Sequence, residues 1–339
     1  MSSKKWMGIV AGILIFNMSL VALVNYVVDP FGVFKSNYLP YKAQMNERYV
    51  KVDYIEKNHG KFNAYLFGSS RIGVVEPQVV EQYVPNSKFY NFTLSSGNLH
   101  DYLMHLKYFI KKQYELKTLY LQIDLDDMNN YGQADSDYLS KLHPHVTGES
   151  EQLYSVRYLL GFFPLNIRKK IEKNVLKKVK KEYWLESGIW TLKGNEKALL
   201  ENPKKYVKEE QSFHFENRRI IHYTTAKESM NALQTIVDLC REHKIKLYVF
   251  TSAHNHRKMD TFFLEDYNKF LRNISNITSF YDFTGYNSVT KNDENYYEMS
   301  HYRPKVGQLV AARIFNDNKI NVPKDFGRYI EKGSMDGSE

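Results

Sequence analysis

The longest uncharged stretch of the sequence constrains the chain most. Residues 6–28 are 23 consecutive residues without Asp, Glu, Lys or Arg, and they follow Lys4 and Lys5. As a helix they extend over roughly 34 Å, which is enough to cross a hydrocarbon core of about 30 Å. A helix in a soluble core would show a polar face, and this stretch has none. The sequence therefore predicts a single-pass signal-anchor helix.

A cleavable signal peptide is the competing interpretation. Its apolar region is usually about 7–15 residues and ends at a small-x-small site, whereas residues 25–28 read Asn-Tyr-Val-Val. Orientation is less constrained, because Lys4 and Lys5 favour a cytoplasmic N-terminus while Lys35, Lys42 and Arg48 follow the span. The charge pattern leaves the direction of crossing open.

The net charge of +9 is concentrated in one segment. Residues 168–181 hold eight Lys or Arg and one Glu, and the rest of the chain is nearly neutral. We therefore expect no nucleic-acid partner. Cys240 is the one cysteine, so the chain has no internal disulfide and no thiolate metal cluster.

Apolar runs of strand length alternate with amphipathic helical patterns, which is typical of a mostly parallel, doubly wound α/β sheet. Ligands bind beyond the carboxyl ends of the strands in such sheets. Ser70, Gly97, residues 124–130 and His254 all follow predicted strand ends. The predicted strands are Ala64–Phe67, Lys88–Leu94, Thr118–Leu125, Ile245–Thr251 and Ile277–Phe283.

Residues 128–222 interrupt this alternation and are predicted to be a helical, basic insertion. Ile167, Ile171, Val175 and Val179 recur at steps of four among the eight basic residues. One interpretation is a helix packed on the domain with a solvated basic face. The other is an interfacial helix that binds anionic lipid or polymer.

Two short motifs carry candidate chemistry. Gly68-Ser69-Ser70 ends the first strand, and a serine lifted from a sheet by such a turn is a nucleophile if a base lies within reach. Glu298 and His301 supply an acid-x-x-His pair near the C-terminus, with the imidazole as base and the carboxylate as its orienting acid. An ordinary turn and a structural histidine are the alternatives, and Asp293 is an alternative carboxylate partner.

Together these motifs resemble the SGNH (GDSL-like) hydrolase superfamily over roughly residues 60–125 and 220–316. Gly68-Ser69-Ser70 matches the first block with Ser70 as nucleophile. Glu298-x-x-His301 matches the last block, with Glu in place of the usual Asp. Residues 89–97 resemble the second block, and its glycine is Gly97. The third block, Gly-x-Asn-Asp, is not recognisable.

The resemblance implies a flavodoxin-like sheet and an oxyanion hole that includes the N–H groups of Ser70 and Gly97. Asn129 and Asn130 are candidates for the remaining oxyanion donor. The resemblance is closest to membrane-tethered proteins that modify cell-surface polysaccharides and teichoic acids. It implies an extracytoplasmic domain, often beside a multi-spanning membrane acyltransferase.

Two further residues are candidates for substrate contact. Arg71 either binds an acidic substrate or forms a salt bridge with Asp124 or Asp126. His254 precedes His256 in Ser-Ala-His-Asn-His, but no acidic cluster at fixed spacing supports a metal site. We expect no metal and no cofactor.

The predicted organisation is a cytoplasmic N-terminus, a membrane helix, a linker, a first SGNH-like part, the insertion, a second SGNH-like part and a tail. The boundaries are 1–5, 6–28, 29–60, 61–127, 128–222, 223–316 and 317–339. The first functional hypothesis is a membrane-anchored acyltransferase or esterase that O-acetylates a cell-surface glycan or polymer. The second is a non-catalytic SGNH-like factor that binds glycan during polysaccharide assembly. A third is an anchored α/β domain whose basic helix binds anionic lipid.

Overall fold

The computed structural model describes residues 2–36, 38–39, 45–128, 138–176, 181–214 and 219–335. The chain divides into two compact units. Unit 1 comprises residues 1–53 and 134–180, and unit 2 comprises residues 54–133 and 181–339.

Helices and strands are numbered along the chain. The helices are α1 (Ser3–Val28), α2 (Glu47–Asn58), α3 (Gln78–Glu81), α4 (Leu99–Lys111), α5 (Leu125–Met128), α6 (Pro144–Thr147), α7 (Glu151–Leu159), α8 (Pro164–Leu176), α9 (Lys193–Glu201), α10 (Pro203–Glu209), α11 (Lys227–Glu242), α12 (His256–Met259), α13 (Leu264–Ser275) and α14 (Pro304–Ile314). The strands are β1 (Ala64–Phe67), β2 (Phe89–Asn91), β3 (Thr118–Ile123), β4 (Glu182–Trp184), β5 (Ile189–Thr191), β6 (Lys246–Thr251), β7 (Phe280–Asp282), β8 (Tyr296–Glu298), β9 (His301–Tyr302) and β10 (Arg328–Ile330). Short 3-10 turns lie at His59–Lys61, Ser70–Ile72, Gln211–Phe213 and Asp293–Asn295.

Unit 2 is built on a central sheet whose order, over the described residues, is β10-β7-β6-β3-β1-β2. Strands β2, β1, β3, β6 and β7 are parallel, and β10 is antiparallel to β7. This confirms a mostly parallel α/β fold. Every residue of β1 and β3 is buried, because a parallel sheet is covered on both faces.

The strand order places a crevice at one point of the sheet. The chain leaves β1 for β2 on one side and continues to β3 on the other. Such a reversal opens a gap beyond the carboxyl ends of the two diverging strands. Ser70 follows β1 and Asp124 follows β3, so both lie at this edge of the sheet.

The helix that follows β2 shows why the local pattern forms a helix. The side chain of Asn98 accepts from the N–H groups of His100 and Asp101, and Asp101 accepts from the Asn98 N–H in return. This capping box satisfies donors that the first turn leaves open. Leu99 and Leu106 are among the residues that α4 buries against the core.

The structure differs from the predicted boundaries at two places in unit 2. Residues 328–330 lie in the predicted tail, yet they form the antiparallel edge strand β10 with Ile330 buried. The predicted insertion 128–222 is divided: residues 134–180 belong to unit 1, and residues 181–214 belong to unit 2. The second part includes the β4–β5 hairpin, and burial of Trp190 in the main core explains why it packs there.

Unit 1 contains α1, the one helix in the described part of the chain that is long and apolar enough to cross a membrane. Its α8 ends at Leu176, so Val179 of the predicted stripe lies outside the described residues. Ile171 and Val175 are exposed, whereas Lys170 is 3% exposed. The expected helix packed through an apolar stripe is therefore not observed, because Lys170 faces the interior of unit 1.

Candidate active site

The turn after β1 positions Ser70. Gly68 follows the buried strand, and Ser70 begins the 3-10 turn. A Cβ at Gly68 would lie 2.7 Å from Oε1 of Gln122, so no larger residue fits without movement. Gln122 also accepts hydrogen bonds from the N–H (2.9 Å) and hydroxyl (3.1 Å) of Ser69. Gln122 therefore holds the turn that directs Ser70 out of the sheet.

Asn91 braces the same turn from the neighbouring strand. Its buried side-chain amide donates to the carbonyl oxygens of Ile72 (3.0 Å) and Val75 (2.8 Å). Its side-chain oxygen accepts from the N–H and hydroxyl of Thr93. Buried polar groups are costly unless paired, so this network favours one conformation of the turn. Sequence reasoning placed Asn91 in the second block but assigned it no role.

Ser70, His301 and Glu298 are brought together. The Ser70 Oγ and the His301 Nε2 are 2.8 Å apart. The other ring nitrogen, Nδ1, contacts the Glu298 carboxylate. Side chains of both His301 and Glu298 are about one-third exposed, at 29% and 31%. With the proton on Nδ1 donated to Glu298, Nε2 is free to accept the Ser70 hydroxyl proton.

A short hairpin aligns Glu298 with His301. Glu298 at the end of β8 pairs with His301 at the start of β9. Directly opposite residues of an antiparallel pair have Cβ atoms about 4.5–5.5 Å apart, which suits a glutamate reaching an imidazole. Burial opposes ionisation of Glu298, but hydrogen bonds from His301 and from the Ser300 N–H (2.9 Å) lower its pKa. Glu298 is therefore a carboxylate at neutral pH.

Asp293, the alternative partner, is engaged elsewhere. Its carboxylate accepts from the Arg257 guanidinium at 3.0 Å and from the Asn255 amide at 2.9 Å. Burial opposes this ionised state, but those two donors lower the pKa of Asp293. The carboxylate beside His301 is that of Glu298.

Trp190 packs against His301. Its ring meets the His301 ring edge to face, with centroids 5.5 Å apart. The backbone N–H of Trp190 donates to the Gly73 carbonyl oxygen at 2.9 Å, and a Cβ at Gly73 would lie 2.0 Å from the indole Nε1. Sequence reasoning missed this residue. The signal was a hairpin pattern, because Gly188 at φ +78° turns the chain between two aromatic strands.

Arg71 forms a buried ionic cluster with three carboxylates. Its guanidinium lies 2.9 Å from Asp124 and 3.2 Å from Asp127, and it also binds Asp126. Lys258 is 3.4 Å from Asp126. Burial opposes ionisation of Asp126, but Arg71 holds its pKa well below the usual range. Burial raises the pKa of Asp127 despite Arg71, and the neighbouring carboxylates add to that rise.

The cluster explains what Arg71 does. Its side chain is 9% exposed and its charge faces carboxylates of the chain. Of the two sequence-based alternatives, the geometry corresponds to the salt bridge. Since Arg71 follows Ser70 directly, the cluster also anchors the turn of Ser70 to the residues after β3.

His254 is buried beside this cluster and does not line an open surface. It is 1% exposed, its Nε2 is 3.4 Å from Oδ1 of Asp124, and its ring meets Phe262 edge to face. Asp124, Asp126 and His254 each place one possible ligand atom within 4.8 Å of the others. Arg71 and Lys258 already neutralise those two carboxylates, so their charges are balanced without a divalent cation.

The candidate oxyanion donors are placed differently from one another. Ser70 begins a 3-10 turn, and the first N–H groups of a helical turn have no acceptor within it. The Gly97 N–H donates to the Leu94 carbonyl oxygen at 2.9 Å. Its donor is thus occupied in this structure. Asn129 and Asn130 lie outside the described residues.

A comparison with protein-family models finds no match to this chain, and a search of curated proteins finds none either.

Proposed function

We propose that the chain is a membrane-anchored serine acyltransferase or esterase of SGNH type. The observation that carries the proposal is the 2.8 Å contact between Ser70 Oγ and His301 Nε2, with Glu298 on the opposite ring nitrogen. Nucleophile, base and orienting acid in this relation are the working parts of serine acyl transfer. The strand order and the crevice beyond β1 and β3 support the flavodoxin-like, SGNH-like fold.

The reaction proceeds in two halves. The Ser70 oxygen attacks the acyl carbonyl carbon while its proton passes to His301 Nε2. The resulting tetrahedral intermediate collapses when His301 returns that proton to the leaving oxygen, which leaves an ester on Ser70. An acceptor hydroxyl or water then loses its proton to His301, attacks the Ser70 ester, and releases Ser70 with its proton restored.

Glu298 acts through His301. Its carboxylate keeps the proton on Nδ1 and stabilises the imidazolium that forms when Ser70 attacks. The Ser70 N–H is the donor best placed by its turn to stabilise the oxyanion. Trp190 limits rotation of the His301 ring by edge-to-face packing.

The acyl group is most simply an acetyl group delivered to a hydroxyl of a cell-surface glycan or teichoic-acid-like polymer. Support comes from the sequence resemblance and from α1, which is long and apolar enough to cross a membrane. In this arrangement α1 crosses the cell membrane once and the remainder is extracytoplasmic. A multi-spanning acyltransferase is the partner that would supply the acyl group.

The non-catalytic assembly factor is the weaker alternative, because such a factor has no need of a serine hydroxyl within hydrogen-bond distance of an imidazole. A serine-directed fluorophosphonate distinguishes the two functions. We expect labelling of the full-length protein, loss of labelling in Ser70→Ala, and retention in Ser69→Ala, whose hydroxyl faces Gln122. An unlabelled but folded protein would refute the enzymatic proposal.

A further inference from the structure

The last turn of α1 is tied to the segment that joins α7 and α8. The side-chain amide of Asn25 donates to the carbonyl oxygens of Leu159 and Gly161, each at 2.8 Å. Asn25 is 1% exposed. A buried amide that loses such acceptors has no water to replace them, so the α7–α8 junction stays beside this turn of α1.

A second tie lies at the C-cap of α1. Asp29 ends the helix in the left-handed conformation at φ 44°, and its carboxylate accepts from the Tyr158 hydroxyl at 2.9 Å. The buried Lys170 ammonium donates to the Asp29 carbonyl oxygen at 2.6 Å. A cation at a helix C-terminus satisfies open carbonyl groups and the helix dipole. Both α7 and α8 are therefore fixed to the same end of α1.

An apolar surface on unit 1 faces away from its core. On α7 the aromatic residues Tyr154 and Tyr158 are fully buried, yet the opposite side is apolar as well. An ordinary surface helix would be polar there. We call this surface the exposed stripe, and its members with their exposed fractions are Leu153 (45%), Val156 (51%), Leu160 (41%), Phe162 (87%) and Leu165 (68%).

Phe162 of the exposed stripe lies beside the last turn of α1. Phe162 follows Gly161, which Asn25 binds, and Asn25 precedes the last helical residue by three positions. At 1.5 Å per residue this level is about 4.5 Å below the end of α1. Amphipathic helices bury their apolar face about 5–10 Å into the boundary between headgroups and acyl chains, and aromatic side chains are enriched at the same interface.

Basic side chains accompany the exposed stripe. Arg168 is exposed on α8 and Arg157 on α7, and within the described residues they are ion-paired with Glu172 and Glu149 respectively. Lys169 is also exposed. Exposed pairs of this kind are weak, so these cations remain attracted to anionic headgroups. Among the possible occupants of the stripe, an anionic bilayer matches both the apolar side chains and the charge.

We infer that the exposed stripe lies in the interfacial layer of the bilayer that α1 crosses, with Arg157, Arg168 and Lys169 at the level of anionic lipid headgroups. This inference rests on the proposed membrane anchor and is independent of the catalytic proposal. The α7–α8 region then lies on the membrane beside the C-terminal end of α1, and it adds membrane affinity to that of the α1 helix.

The test uses full-length protein in vesicles of phosphatidylglycerol and phosphatidylcholine. A Cys240→Ala background, chosen because Cys240 is the sole and buried cysteine, receives Phe162→Cys labelled with the fluorophore NBD. We expect a blue-shifted emission, strong quenching by lipids with a shallow nitroxide, and protection from aqueous iodide. Leu14→Cys, which is exposed on the middle of α1, is the matched control for insertion.

Each outcome decides the inference. Suppose that nitroxide lipids quench the label at residue 14, whereas the label at residue 162 is accessible to iodide and is not quenched by lipid. The inference is then wrong, and the membrane anchor stands. Absence of lipid quenching at both positions overturns the anchor and the inference with it. Fluorophosphonate labelling of Ser70 in the same samples reports separately on the catalytic proposal and on the fold of unit 2.

Discussion

Replacing Arg71 with methionine should destabilise unit 2 more than any surface charge change. The guanidinium of Arg71 is the cation closest to Asp124 and Asp127, and these side chains are 1% and 13% exposed. Methionine keeps most of the volume and removes the charge, so no large cavity contributes to the result.

The loss in free energy of unfolding depends on which charges remain in the cluster after Arg71 is replaced. Removing one partner of a buried ion pair costs about 3–5 kcal/mol, because a charge is left uncompensated. Lys258 still faces Asp126, and the raised pKa of Asp127 makes this carboxyl easier to protonate than an ordinary aspartate. Asp124 is the main uncompensated charge, so we expect the lower end, about 3 kcal/mol. At about 2–4 °C per kcal/mol this lowers Tm by about 6–12 °C.

The pH dependence has a defined sign. In the wild type the pKa of Asp126 is depressed, so its contribution to stability is present above the unfolded pKa of about 3.9 and is lost only as pH falls through the folded pKa. Without Arg71, burial raises the pKa values of the carboxylates in the cluster. Their unpaired charges lower the free energy of unfolding most at neutral pH, and this destabilisation decreases as the carboxylates are protonated. The difference in Tm between variant and wild type should therefore narrow from pH 7 to pH 4.5.

Thermal unfolding of the full-length proteins in one detergent, followed by tryptophan fluorescence, measures this. Lys88→Met is the matched control, because Lys88 pairs with Glu81 at 3.6 Å but is 72% exposed. Its loss should cost at most about 1 kcal/mol. A Tm for Arg71→Met within about 2 °C of the wild type, or a difference that widens on acidification, would refute the account of the cluster.

Three further changes test other contacts. Glu298→Gln should reduce hydrolysis of p-nitrophenyl acetate by about 10⁴-fold, less than Ser70→Ala, because the amide favours the wrong imidazole tautomer; equal rates for Glu298→Gln and wild type would contradict this. Gly68→Ala should cost about 1–3 kcal/mol in chemical unfolding because its Cβ meets Gln122, whereas Gly60→Ala, with nothing within 4 Å, should be nearly neutral. Exchanging Arg168 and Lys169 for glutamine should weaken the dependence of interfacial NBD emission on phosphatidylglycerol, each charge contributing about 1 kcal/mol, and an unchanged lipid titration would argue against headgroup contact.

Local pattern in the sequence located five strands of the central sheet of unit 2. The run Ala64–Phe67 forms β1 with the predicted bounds, and the apolar spacing from Leu99 predicts α4. These predictions succeed because burial on both faces of a strand, or on one face of a helix, is written into neighbouring residues. The uncharged stretch 6–28 likewise predicts α1, which the structure shows as Ser3–Val28.

Other features depend on residues distant in sequence. Strand β10 has three residues and finds its place only because β7 offers an unpaired edge. The division of residues 128–222 follows from where Trp190 and Lys170 are buried, and no local pattern distinguishes a buried lysine from a solvated one. The occupied Gly97 N–H is equally invisible in the sequence, since it depends on the conformation of one turn.

In the candidate site, too, some features were predicted from the sequence and others depend on the tertiary structure. Residue types and order in the sequence determined that Ser70, Glu298 and His301 were the groups to compare, and their catalytic role remains a prediction. Only the tertiary structure decided that Ser70 and His301, 231 positions apart, lie 2.8 Å from each other. It also decided that Arg71 faces three carboxylates and that Trp190 covers the imidazole. Strand pairing and core packing bring such groups together, and neither is encoded in the spacing of neighbouring residues.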